Sequence, residues 1–583
     1  MTPVTPLISA LTGHLPFILI TAALLTWPIS AALLAIYTRA VRRSMRRMAS
    51  GGDDAQRARS QSSPSAIVNA GRVLPDLAPP VPIEVGLMDA TVVDNALPAA
   101  SAFLRRLVRE PWRTAACYAL AGVAYSIVIT VVLLSSMNTP LLPLRFTTLA
   151  WVFGWPTVIS VAMVAGSVHR VKVAVGLAYA TIFAGLCIVG VQFSPDLTLR
   201  QLAMLWAIDN GPPTVLLMIC LNRRIRAVGT LVLPFLLLAL LGADLLLAAV
   251  GSQDRYMRWA VDLFLLVGLG GNATFVGIIG IGFLAFALVG WGAVSWIRRR
   301  YEAKQISDES VTIDAMWLLF TVGHAIDLVF ESSVAVLGAI AAFGAYKVTV
   351  QVLLTRQAAR PGEQSPELLL LRSFSIGHRA EHLFDALEKH WRRVGSIQMI
   401  AGYDLAARTV EPHEFLDFLT GKLTRRFIDS EATLERRVRE KDVRPDRDGR
   451  FRVNDFFCYD DTWRMTFSRL SRTSSVVLMD LRGFSRANAG CVFEIQELFA
   501  TVDLAEVLFV VDRATDETFL LRIFNEAATL AAARSPELHG GAPRPRLFRF
   551  GSVDASTMRS LLAALAAART ARISTRVEAR VTA

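Results

Sequence analysis

The chain has 583 residues, of which 53% are hydrophobic and 19% charged, against roughly 45–50% and about 25% in ordinary soluble proteins. That excess of apolar surface excludes a disordered chain, and five cysteines exclude a disulfide scaffold. The 61 Lys+Arg against 49 Asp+Glu leave a formal charge of +12, which in a soluble domain would suggest nucleic acid.

The placement of the arginines argues otherwise. Apolar runs of membrane-spanning length cover 15–37, 115–135, 148–168, 173–193, 201–221, 229–250 and 273–297, and a hydrocarbon core of about 30 Å needs about 20 such residues as a helix. Arg39, Arg42, Arg43, Arg46 and Arg47 follow the first run; Arg105, Arg106, Arg109 and Arg113 precede the second. Arg223, Arg224 and Arg226 follow the fifth, and Arg298, Arg299 and Arg300 the seventh. Basic flanks of this kind set membrane orientation, so the lipid bilayer is the expected partner and no nucleic acid is expected.

Nothing basic precedes the first run and no small-residue cleavage site follows it. This predicts a retained span with the amino terminus outside the cell membrane. Two shorter runs, 315–331 and 334–354, bring the count to nine, or leave seven if Asp327, Glu331, Ser332 and Ser333 keep that hairpin out. Either count places the carboxyl terminus in the cytoplasm. Between the first two spans, residues 48–112 are rich in Ser, Pro, Gly and Asp and read as a cytoplasmic linker.

Ionisable residues inside spans are costly and raise a functional question. Asp209 sits in Ala207-Ile208-Asp209-Asn210-Gly211-Pro212-Pro213, which predicts a broken helix with freed carbonyls. His324 and Asp327 are three apart, so they share a helix face and could pair or relay a proton. These three are the intramembrane candidates.

After Leu354 the composition changes. Short apolar runs at 367–373, 396–401, 475–480, 507–512 and 546–550 read as strands covered on both faces. Helical patterns separate them at 379–393, 413–428, 432–441, 460–472, 488–501, 515–534 and 554–570. The whole is therefore an all-α transmembrane bundle followed by an α/β domain over 366–570, with a tail at 571–583. The expected sheet is parallel and doubly wound, with five strands in the flavodoxin-like order 2-1-3-4-5.

Ligands of such sheets bind beyond the carboxyl ends of the strands. The first strand leads into Ser375, Gly377, His378 and Arg379, a strand-to-helix turn able to receive an anion. The third ends in Asp480-Leu481-Arg482-Gly483-Phe484-Ser485 and runs into Cys491-Val492-Phe493-Glu494-Ile495. An Asp–Arg pair there is either a site or a structural ion pair. No metal-ligand spacing appears.

Five strand–helix units, a Ser/Asn-containing loop after the third strand and a Cys-x-x-Glu helix start resemble the TIR domain and its bacterial relatives. The likeness rests on the order of elements more than on identity, and Gly490 stands where the family commonly has an aromatic residue. It implies a nucleotide pocket formed in part by residues 373–379, with NAD as ligand or substrate and self-association through the cytoplasmic domain. It also implies that Glu494 is the carboxylate that cleaves the nicotinamide–ribose bond, through an oxocarbenium-like transition state. A signalling, stress or defence role follows from the same likeness. The alternatives are a non-enzymatic assembly or ligand-sensing module on a membrane anchor, or a regulated transporter.

Overall fold

A computed structural model describes residues 4–60, 83–87, 90–137, 142–166, 169–193, 197–220, 225–268, 270–331, 335–357, 365–372, 378–401, 415, 418–419, 421, 423–459, 461–486, 488–534 and 544–581. The chain divides into a helical unit (Met1–Tyr37, Pro111–Ala358, Val410–Leu419) and an α/β unit (Thr38–Glu110, Ala359–Thr409, Thr420–Ala583).

The helical unit draws on α1 (Val4–Ser60), α2 (Ala90–Ser136), α3 (Pro143–Phe153), α4 (Trp155–Val164), α5 (His169–Phe193) and α6 (Leu199–Cys220). It continues through α7 (Arg226–Gly251), α8 (Asp254–Leu266), α9 (Gly271–Glu302), α10 (Asp308–Glu331) and α11 (Val336–Gln357). Among the described residues, seven helices are long and apolar enough to cross a membrane, or eight if α3 and α4, bent by 44°, count as one span. Their outward faces carry exposed Phe17, Leu24, Met218, Val276, Leu284 and Leu288, the surface of a multi-pass membrane protein rather than of a water-facing bundle.

The described residues show seven or eight of the nine expected spans; α11, from the hairpin, is one of them, and α10, which carries Asp308, Glu309, Asp314, Asp327 and Glu331, is not. Its middle turns are enclosed instead, with Trp317, Phe320, His324 and Leu328 fully buried. Trp317 stacks on Tyr346 of α11 at 4.7 Å and lies 4.8 Å from the Tyr125 ring of α2.

Close backbone approach holds α7 against α9. A Cβ on Gly282 would lie 2.6 Å from the Gly242 carbonyl oxygen, whereas one on Gly280 would meet nothing within 4 Å. Overpacking such a contact costs about 1–3 kcal/mol. Gly282→Leu should therefore lower the melting temperature of the detergent-solubilised chain by several degrees, and Gly280→Ala should leave it unchanged.

The α/β unit holds eight described strands, all parallel, in the order β1-β8-β7-β6-β2-β3-β5-β4. They are β1 (Gly86–Leu87), β2 (Glu367–Arg372), β3 (Ser396–Ala401), β4 (Phe427–Ile428), β5 (Val453–Cys458), β6 (Val476–Asp480), β7 (Val507–Val511) and β8 (Arg546–Arg549). The five-stranded sheet expected above is thus corrected, because three further strands extend it at both edges. The five foreseen strands lie side by side as β8-β7-β6-β2-β3.

The added strands have physical explanations. Leading into β1, Ile83, Val85 and Leu87 alternate, and Ile83 and Val85 pack on the sheet's core. Residues 83–87 are therefore an edge strand and its lead-in, not linker. In β5, Asn454 and Asp455 interrupt the apolar run, yet Asn454 exchanges hydrogen bonds with the Asp442 backbone (2.6 and 3.0 Å). Of the helix expected over 413–428, residues 415, 418 and 419 are helical, whereas the later part forms a 3₁₀ turn, Leu423–Arg426, and β4.

Helices α12 (His378–Trp391), α13 (Glu431–Arg439), α14 (Trp463–Thr473), α15 (Ala489–Thr501), α16 (Glu517–Arg534) and α17 (Ala555–Val581) cover the sheet. Leu369, Leu371, Val477, Met479, Phe509 and Val511 share one core with Leu434, Phe467, Ile495, Leu498 and Phe524 of α13–α16. Helix α17 packs against β6, β7 and α12. Strands enclosed in this way need apolar residues on both sides, hence the unbroken Val-Val-Leu-Met and Val-Leu-Phe-Val-Val runs.

Candidate functional site

Strand order reverses between β2 and β6, the switch point beside which ligands of open sheets bind. Asp480 ends β6 there, paired in register with Arg372 of β2. It is fully buried and takes a bidentate pair of bonds from Arg482, Nε to Oδ1 at 2.8 Å and Nη2 to Oδ2 at 2.7 Å. The guanidinium also lies 5.0 Å from the Phe550 ring. An arginine forked on a carboxylate and covered by an aromatic face is an internal strut, not a free anion receptor.

The loop after β6 is fixed by hydrogen bonds. Gly483 takes φ +66°, a conformation that favours glycine. Its N–H donates to Asp512 Oδ1 at 2.9 Å, at the end of β7. Thr515 Oγ1 donates to the Leu481 carbonyl at 3.0 Å, and the Asp516 N–H to the Phe484 carbonyl at 2.9 Å. Ser485 N–H donates to Asn488 Oδ1 at 2.9 Å. Asp512 was not among the sequence candidates. Its signal was an Asp closing an apolar strand, the same pattern as Asp480.

Glu494 lies on the buried face of α15 and is 4% exposed. Its Oε2 has no hydrogen-bond partner among the described residues. Burial alone pushes its carboxyl up to about 8, so at neutral pH the group is mainly a neutral acid. It could donate a proton, but it must first lose one to act as a carboxylate.

The described candidates fall on two faces of the sheet. Met479 shares a core with Cys491 and Ile495, flanking Glu494. Side chains alternate along a strand, so Asp480 turns to the opposite face, where Arg482 meets Phe550. Ser375 and Gly377 lie outside the described residues; His378 and Arg379 open α12, but their side chains are not described. No cluster of metal-binding side chains occurs among the described residues.

In the helical unit, α6 runs unbroken through Pro212 and Pro213, which corrects the predicted break at Asp209–Pro213. The missing N–H groups free two carbonyls, while Thr214 Oγ1 donates to the Asn210 carbonyl at 2.6 Å. Asp209 is buried. The bend falls instead between α3 and α4, at Gly154. His324 is fully buried, and its Nδ1 lies 3.0 Å from the Tyr125 hydroxyl. The Asp327 side chain lies outside the described residues, and with it the expected pair with His324. Comparison with family models, with curated proteins and with solved structures finds no match to this chain.

Proposed function

We propose that the chain is a multi-pass protein of the cell membrane, amino terminus outside, whose α/β unit faces the cytoplasm and senses a small anionic ligand of the nucleotide class. The observation that carries this reading is the parallel sheet's switch point between β2 and β6, with the β6 and β7 loops locked together beside it. The basic clusters after the first, fifth and seventh apolar runs support the orientation. Ligand binding at this edge, followed by self-association of the α/β units, is a signalling output that requires no bond cleavage.

A second reading, cleavage of NAD, is favoured by Glu494 alone, a buried acid on the element that resembles the TIR motif. The two are separated by one set of assays on the full chain in detergent. Sensing predicts that NAD or another nucleotide raises the melting temperature saturably and that Arg379→Ala weakens the effect. Cleavage further predicts nicotinamide release that Glu494→Gln abolishes. No thermal shift with any nucleotide rules out the sensing reading, and no release rules out cleavage.

A further inference from the structure

Three buried polar atoms border one junction of α2, α4, α6 and α10, and none has a hydrogen-bond partner among the described residues: Thr157 Oγ1, Asn210 Oδ1 and His324 Nε2. The contacts around them tie them together. Asn210 Nδ2 donates to the Val152 carbonyl at 3.1 Å, and the next residue, Phe153, sets its ring 4.9 Å from the His324 imidazole. Gly323 packs on Pro213, where an added Cβ would lie 2.8 Å from Cγ, so the α6 turn bearing Asn210 meets the α10 turn bearing His324. Thr157 presses its hydroxyl against Gly122, one turn from Tyr125, which closes the other imidazole nitrogen. All of this surrounds the bend at Gly154.

Leaving such groups unsatisfied in an apolar bundle costs about 1–3 kcal/mol each. Their valences define what satisfies them. Asn210 Oδ1 only accepts, and the Thr157 hydroxyl does either. His324 Nε2 donates when Tyr125 donates to Nδ1, and accepts when Nδ1 donates to Tyr125. No cluster of metal-binding side chains stands at this junction among the described residues, and a fully deprotonated anion could not serve Asn210 Oδ1, which only accepts. The geometry points to a neutral guest that both donates and accepts, a bound water held at this junction. Buried water characteristically makes two to four such bonds. Asp209 and Thr214 belong to the same stretch of α6, and Trp155 Nε1 donates to Thr214 Oγ1 at 2.9 Å, so that side of the junction is already hydrogen-bonded.

Water-edited solid-state NMR on the full chain in lipid vesicles, with ¹⁵N-histidine, tests this. The chain has eight histidines, and the His324 signal is the one lost in His324→Gln. The expected result is transfer of water magnetisation to the His324 ring in the native chain, falling several-fold in Asn210→Leu and in the near-isosteric Thr157→Val. No transfer to His324 in the native chain, at mixing times that light up exposed His14, would overturn the proposal. Transfer unchanged in both variants would overturn it equally.

Discussion

Asp480→Ala should destabilise the α/β unit by about 3–5 kcal/mol, because it leaves the Arg482 guanidinium buried without its counter-charge. The side chains of the pair are 6% and 0% exposed, so solvent does not screen the loss as it would on a surface. Replacing both partners, as Asp480→Leu with Arg482→Met, should recover most of the stability, since the cost lies in the unpaired charge and not in the absence of the pair. Hydrogen exchange of the β6 and β7 amides in the full chain reads both effects. A loss below about 1 kcal/mol for the single variant would mean that the pair behaves as a surface ion pair.

Glu494 carries the second large effect. Its folded carboxyl is held near 8, against 4.5 without burial. The folded state therefore favours the protonated form, and stability declines as pH rises from about 4.5, levelling off above about 8. The decline amounts to about 4–5 kcal/mol at most, at 1.36 kcal/mol per pH unit. Glu494→Gln stays neutral throughout, so it should match the native chain near pH 5 and exceed its stability by several kcal/mol at pH 9. Equal pH profiles for the two proteins would show that the carboxyl is solvated.

The unbroken apolar runs of β2, β6 and β7 announce strands shielded on both faces, and the arginine-flanked runs announce membrane helices. What was hidden depends on neighbours distant in sequence. Gly86 and Leu87 become a strand only because β8 offers an edge, pairing Gly86 with Arg546. The Asn454-Asp455 interruption of β5 is tolerated because Asn454 has a backbone partner at Asp442. At the site, strand alternation sends Asp480 to the face opposite the core in which Cys491 and Ile495, on either side of Glu494, pack. Asn210 and Thr157 were missed because an amide and a hydroxyl in an apolar run carry no charge to draw notice; only the helix junction gives them significance.

The most direct test of the proposed architecture is labelling with a membrane-impermeant maleimide in intact cells. A chain bearing Glu526→Cys, exposed on α16, should react only after the cells are lysed, while Gln253→Cys, exposed between α7 and α8, should react in intact cells. Labelling of position 526 from outside would contradict a sheet held on the inner side of the membrane.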